Sequence, residues 1–351
     1  MPDLRFGHVR KLGDPPAPVK LRGLQIEKLT VRATRSYDPP VPARLPLAAQ
    51  RLVIVTGKGG VGKSAVTAAL ARALAGAGRR VLAVEVAHGG LGPLLGFDGL
   101  KATPRLVAPR LQAATLEPDD ALADFVHGVF RFGMFARRLL ESTSFQVLAA
   151  AAPGLPEFLV LHRLLGWVEE RHLGRRAYDV VLVDAPASGH SLPLLAAPRT
   201  LGTFARIGPV AQVLRRVDEL LGDATRTLVC LVTTPEELAV RETIELHGEL
   251  VGRLGLPVAP PIVNALPPRR FGPDDEAALA RLEGAAAGHP WVLAARHQVE
   301  HRRRALAQVA TLRRALRTPV IRLPFLFAGP EAAGGVARLA SDLAAAATRA
   351  A

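Results

Sequence analysis

Two lysines bracket a glycine-rich turn in RLVIVTGKGGVGKS, residues 51–64. The second, Lys63, completes the pattern G-x-x-x-x-G-K-S/T. In that pattern backbone N–H groups turn inward toward phosphate oxygens, the lysine reaches the β and γ phosphates, and the hydroxyl, here Ser64, ligates Mg2+. Gly57, Gly59, Gly60 and Gly62 supply the backbone freedom, with Val61 inside the loop and Ala65 opening the next element. Lys58 stands outside the pattern. Asp184, at the end of YDVVLVD, is placed to contact a metal or its water shell from the edge of a strand. HQVEH, residues 297–301, has the i, i+4 histidines of an inverted zinc-protease signature. No third ligand follows it and RRR comes directly after, so it reads as an exposed charged helix.

The elements that must position these residues are legible from punctuation. RLVIVT, RVLAVEV, YDVVLVD, TLVCLVTT, APPIVNA and PVIRLP are short apolar runs without polar alternation, as strands buried on both faces of a parallel sheet require. Between them, Leu122, Phe125, Val126 and Val129 repeat at i, i+3, i+4 and i+7, as do Leu161, Leu164, Leu165 and Val168, and Val210, Val213, Leu214 and Val217. Strands alternating with amphipathic helices predict an α/β fold with a doubly wound, mostly parallel sheet. The glycine-rich turn then lies between a strand and an alanine-rich helix, where the phosphate-loop pattern needs it. Residues 1–50 read as a flexible, basic, proline-rich arm or as a start assigned too far upstream. Residues 51–340 form the main domain, with a helical insertion over about 118–172 and helices over about 192–222, and 341–351 a helix end and tail.

Composition narrows the classes. The formal net charge is +14, but the arginines are dispersed, without a block of like charge or aromatic interleaving, so specific nucleic-acid binding is not expected. One cysteine, Cys230, lies within an apolar run and reads as a buried strand residue, which excludes an intramolecular disulfide and a thiolate metal site. No apolar run reaches the length of a membrane span and no secretion pattern opens the chain, so the expectation is a cytoplasmic protein without a transmembrane segment.

GKGGVGKS together with DAPASGH resembles the arsenite-transport ATPase family, which includes the ATPase that guides tail-anchored membrane proteins and is related to the dimeric, deviant phosphate-loop ATPases of division-site selection and plasmid partition. The likeness runs from about residue 51 to residue 335. PGLPE at 153–157, VTTPEELAVRET at 232–243, PPIVNALPP and VIRLPFL extend it. The resemblance implies an Mg2+-dependent ATPase with Asn264 on the edge of the base and Pro324 near its face. It also implies a homodimer, because in such proteins the extra lysine, here Lys58, crosses a two-fold interface to the partner's phosphates. Read without the family, Lys58 is a solvated turn residue.

Two departures bear on the chemistry. The family's first switch usually reads D-P-A-H-S, its aspartate positioning the attacking water; here EVAHGG places Glu85 at that position, with Ala87 and His88 still matching. Glu85 is then either a slow base or a strand-end acid paired with an arginine. The tail-anchor branch uses paired cysteines and a methionine-rich groove, whereas this chain has one cysteine and two methionines, which argues against that client and against arsenite. The expected function is an ATPase, with Lys58, Lys63 and Glu85 in the chemistry and Ser64 and Asp184 at the metal, that couples nucleotide state to an unidentified protein client or membrane-associated partner. A scaffold with little hydrolysis and a partition-type ATPase on nonspecific DNA are the alternatives. A partner surface is expected over residues 121–145, which hold five of the twelve phenylalanines, with Phe130 and Phe135 turned away from the helical stripe.

Overall fold

All six apolar runs become strands of one sheet: β1 (Leu52–Gly57), β2 (Val81–Val86), β7 (Val180–Ala187), β8 (Thr227–Thr233), β9 (Ile262–Leu266) and β10 (Ile321–Pro324). The structure, a computed structural model, describes residues 45–47, 49–86, 90–117, 121, 122, 125, 153–203, 206–282 and 288–348. The strand and arm readings before residue 45, Ala87 and His88, and most of the expected insertion, including Val126, Val129, Phe130 and Phe135, lie outside those residues.

Two further strands, β3 (Arg105–Ala108) and β4 (Leu111–Leu116), form a hairpin that the sequence reading did not foresee and complete a sheet of eight strands in the order β10-β9-β8-β1-β7-β2-β4-β3, while β5 (Arg171–His172) and β6 (Arg175–Arg176) pair apart from it. Within the eight-stranded sheet every pairing is parallel except β3 with β4, which carries the edge.

Along the central strands, alternate side chains enter different layers, as the pleat dictates. In β1, Leu52 and Ile54 face one core and Val53 and Val55 the other; in β7, Val181 and Val183 oppose Val180 and Leu182. The first layer is built by α3 (Leu155–Glu169), α4 (Ser188–Gly202) and α5 (Gly208–Gly222), including Phe158, Trp167, Leu194 and Leu214. The second is built by α1 (Lys63–Gly76), the short α2 (Leu91–Leu95) and α9 (Gly335–Thr348). Alanines 65, 68, 69 and 71 let α1 sit close beneath its neighbours. Just ahead of β1, Leu45 and Leu47 are buried in the same layer, and the Leu45 N–H donates to the Ala346 carbonyl at 3.3 Å.

Toward the β10 edge, α6 (Glu237–Gly248) continues into a π-helical turn, Glu249–Arg253, and is followed by α7 (Pro273–Arg281) and the long α8 (Pro290–Leu316). Val240, Val263, Leu312 and Val320 close a third cluster there. Cys230 is a fully buried β8 residue, and burial alone pushes its thiol up to about 12. His297 and His301 are exposed on α8, and Glu300 pairs with Arg304 at 2.8 Å, as a charged helix face would. Among the described residues no helix is long and apolar enough to cross a membrane, and no cluster of metal-ligating side chains occurs.

The N-terminal ends of β1, β2 and β7 are clamped by charge. Asp179 accepts from the Arg80 guanidinium at 2.6 and 3.1 Å and from the Arg80 backbone at 2.8 Å, while Arg51 and Arg79 both donate to its carbonyl. The Arg80 hydrogen bond holds the Asp179 carboxyl down at about 2. Asp179→Ala is expected to lower the melting temperature of the protein by a few degrees, because it removes the carboxylate that accepts from the Arg80 guanidinium and backbone N–H while leaving the carbonyl that Arg51 and Arg79 use, at about 1 kcal/mol for so exposed a pair. The wild-type advantage over this variant is present above pH 4 and is lost as pH falls toward 2, since the folded carboxyl titrates below its ordinary value. Equal melting at pH 7 would show that the clamp contributes nothing.

Candidate functional site

Strand β1 feeds the site because its flanking strands, β7 and β8, both come later in the chain, while its own successor β2 lies beyond β7. In open α/β sheets such a point opens a crevice at the carboxyl ends of the strands. The loop after β1 is fitted to its neighbours so closely that two of its positions admit only glycine. Gly57 has φ 150° and a Cβ there would strike the Val232 carbonyl of β8; Gly62 has φ 87° and a Cβ would strike the Asn264 amide of β9. Asn264 Nδ2 donates to the Val61 carbonyl at 2.9 Å, and the Thr56 hydroxyl donates to the Pro186 carbonyl at 3.2 Å. The loop is therefore pinned from three strands before it enters α1.

Beneath it, Asp184, three residues before the end of β7, is buried and hydrogen-bonds Ser64. The Thr67 hydroxyl, one turn along α1, donates to the Lys63 carbonyl at 2.9 Å and stands 3.3 Å from Asp184 Oδ1. Burial pushes the Asp184 carboxyl up to about 6, against the pull of Ser64 and Lys63, and the charge of Glu85 adds to the rise. Lys63 is half-buried and its ammonium is pushed down by desolvation, partly offset by Asp184. Its Nζ donates to the Lys58 carbonyl at 3.2 Å, so the loop's own backbone holds the cation.

Glu85 pairs with Asp184 in the β2–β7 register and is buried; its Oε1 accepts the Leu91 N–H, the first of α2, at 2.8 Å. Among the described residues its partner is thus a backbone amide, and no arginine pairs with it. Lys58 is not simply solvated: its Nζ lies 2.6 Å from Glu242 Oε1 of α6.

Residues 57–65, Glu85, Asp184 and Asn264 come together at the end of β1. Pro324 ends the edge strand β10, paired with Leu266 of β9, beside the exposed Phe325 and Phe327, whose rings meet edge to face at 5.0 Å with the Arg270 guanidinium 4.7 Å over Phe327. The sequence reading missed Thr67 and Glu242. Thr67 was findable, four residues after Lys63 on the same helix face. Glu242 lies 184 residues from its partner, beyond any local signal.

A buried carboxylate, a half-buried ammonium and a hydroxyl under a glycine-rich loop at a helix N-terminus are groups of the kind that suit a polyphosphate and a hard cation. Comparison with known proteins agrees. The family model described as anion-transporting ATPase matches residues 50–210. The ATPase BagA of Mycobacterium tuberculosis is 32% identical over 250 residues, covering 69% of this chain and 72% of that protein. The chain belongs to the anion-transporting ATPase family. The arsenical pump-driving ATPase of Escherichia coli is 27% identical over 233 residues, 61% of this chain and 39% of that protein. The ATPase GET3C of Arabidopsis thaliana is 24% identical over 271 residues, 63% and 68% of the two chains. ATP is the nucleotide that the description of the anion-transporting ATPase family carries.

Proposed function

We propose that this protein is a Mg2+-dependent ATP hydrolase that closes as a homodimer on ATP and uses its nucleotide state to hold or release a partner. The observation that carries this is the geometry: the buried Asp184, hydrogen-bonded to Ser64 and Thr67, stands beside the half-buried Lys63 under the phosphate loop, so an acid and an ammonium lie side by side where a cation and a phosphate would enter. Ser64 and Asp184 would hold Mg2+, which when bound neutralises phosphate charge. The amides of Gly59 to Ser64 donate to phosphate oxygens. Lys63 leaves the Lys58 carbonyl for the β and γ phosphates, and Lys58 serves a second copy's nucleotide. Asn264 positions the loop from behind through Val61, and Pro324 borders the base from the sheet edge.

Glu85 is the residue we assign to orienting water. Its bond to the Leu91 amide favours a slow enzyme, since that acceptor oxygen must be freed or shared before it can take a proton. Phosphate release by the purified protein with ATP and Mg2+ tests the reading. Turnover is expected to be abolished in Glu85→Gln with ATP binding intact, and raised in Glu85→Asp if the shorter acid restores the family's geometry. A wild type that binds ATP yet releases no phosphate would leave a nucleotide-gated scaffold, and a Gln variant as active as wild type would make Glu85 structural.

A further inference from the structure

Lys58 is the only cation of the phosphate loop besides Lys63, and it is engaged within its own protomer. Its ammonium meets Glu242 Oε1 at 2.6 Å, with the two side chains 27% and 33% exposed. Glu242 is carried by α6, which is fixed independently of the loop: Ala239, Val240, Thr243 and Leu246 are buried, and Thr243 Oγ1 donates to the Ala239 carbonyl at 2.8 Å. The carboxylate therefore sits on a rigid support, while Lys58 has four side-chain torsions with which to leave.

We propose that Glu242 is a latch on Lys58, holding it in the resting protomer and yielding it only when a second copy's nucleotide competes for the ammonium. This rests on the reading of Lys58 as the lysine that crosses between copies. A triphosphate carries several negative charges and a carboxylate one, so the exchange is favourable once ATP is presented across the interface, and much less so when the γ phosphate is absent. Glu242 then acts as a positioning residue that makes closure depend on ATP rather than on chance encounter.

The size of the effect follows from the exposure. A partly exposed ion pair is worth about a two- to fivefold change in equilibrium. Closure of a symmetric dimer breaks two such pairs, so the effects multiply to about four- to twenty-five-fold. The experiment is an ATP titration of dimerisation by light scattering with wild type, Glu242→Gln, Lys58→Ala and the double variant. Glu242→Gln, which keeps shape and loses charge, is expected to dimerise more tightly than wild type by that factor, with the melting temperature of the nucleotide-free protein lowered by no more than about two degrees. The gain should vanish in the Lys58→Ala background and shrink at high salt, where the wild-type pair is already screened. A Gln variant that dimerises as wild type or more weakly, or one whose gain persists without Lys58, overturns the latch while leaving the dimer. A wild type without an ATP-dependent change in mass, or a Lys58→Ala variant that dimerises normally, overturns the two-fold reading and the latch with it.

Discussion

Lys63→Ala is expected to abolish ATP binding at any practical concentration. Hydrogen bonds to charged groups contribute about 1.5–3 kcal/mol each. Lys63 is read as making two, one to each terminal phosphate, so about 3–6 kcal/mol is at stake, or two to four orders of magnitude in affinity. The loss is not offset within the protein. Lys63 is also a favourable neighbour of Asp184, so its removal lets that carboxyl rise further and weakens the cation site as well. The fold should survive, because the ammonium's own bond is only to the Lys58 carbonyl. Titration calorimetry of a variant that melts like wild type is the check. Unchanged affinity would remove the loop from nucleotide binding.

Asp184→Asn is expected to do two opposite things: stabilise the nucleotide-free protein and abolish the Mg2+ dependence of nucleotide binding. The unfolded carboxyl titrates near 3.8 and the folded one at about 6. Below pH 4 both are protonated and the group is neutral in its effect. As pH rises through that interval the unfolded chain ionises first, and stability falls until the folded group has ionised too. Above pH 6 the cost is complete, and the rise in the carboxyl corresponds to roughly 3 kcal/mol. Asparagine is spared this cost, but its amide nitrogen cannot accept as a carboxylate oxygen does from Ser64 or Thr67, so a gain of about 1–2 kcal/mol and a few degrees in melting temperature is expected near pH 7.5 in EDTA, vanishing below pH 4. A variant that melts below wild type at pH 7.5 would mean that Ser64 and Lys63 already satisfy the carboxylate.

The sheet was legible because strands buried on both faces must be apolar throughout, and β1, β2, β7, β8, β9 and β10 each announce themselves in that way. The hairpin of β3 and β4 was not. Arg105 and Leu106 are exposed, and LQAATL mixes buried and half-buried positions, so neither strand stands out from a loop. At the site, whatever follows from local pattern could be read: the glycines, Lys63, Ser64 and an acid closing a strand. What depends on how strands are ordered could not. Asn264 supports the loop through Val61, 203 residues away, and Lys58 finds Glu242 on a helix that packs beside it only after the sheet forms. The bond from Glu85 to Leu91 is close in sequence, yet it hinges on where α2 begins, which no capping residue marks.

The strand order also fixes when this site can exist. β1 is flanked by β7 and β8, whose residues pair with it across 129 and 175 positions, as Leu52 with Val181 and Leu52 with Thr227. α1, which starts within the loop, rests on α9 near the end of the chain. A nascent chain therefore synthesises the phosphate loop well before β7, β8 and α9, and the loop's setting stays incomplete until those elements have left the ribosome. Loop closure over such separations is slow, and meanwhile apolar strands wait without neighbours. Nucleotide, which binds only the completed loop, stabilises the end of that pathway and none of its beginning.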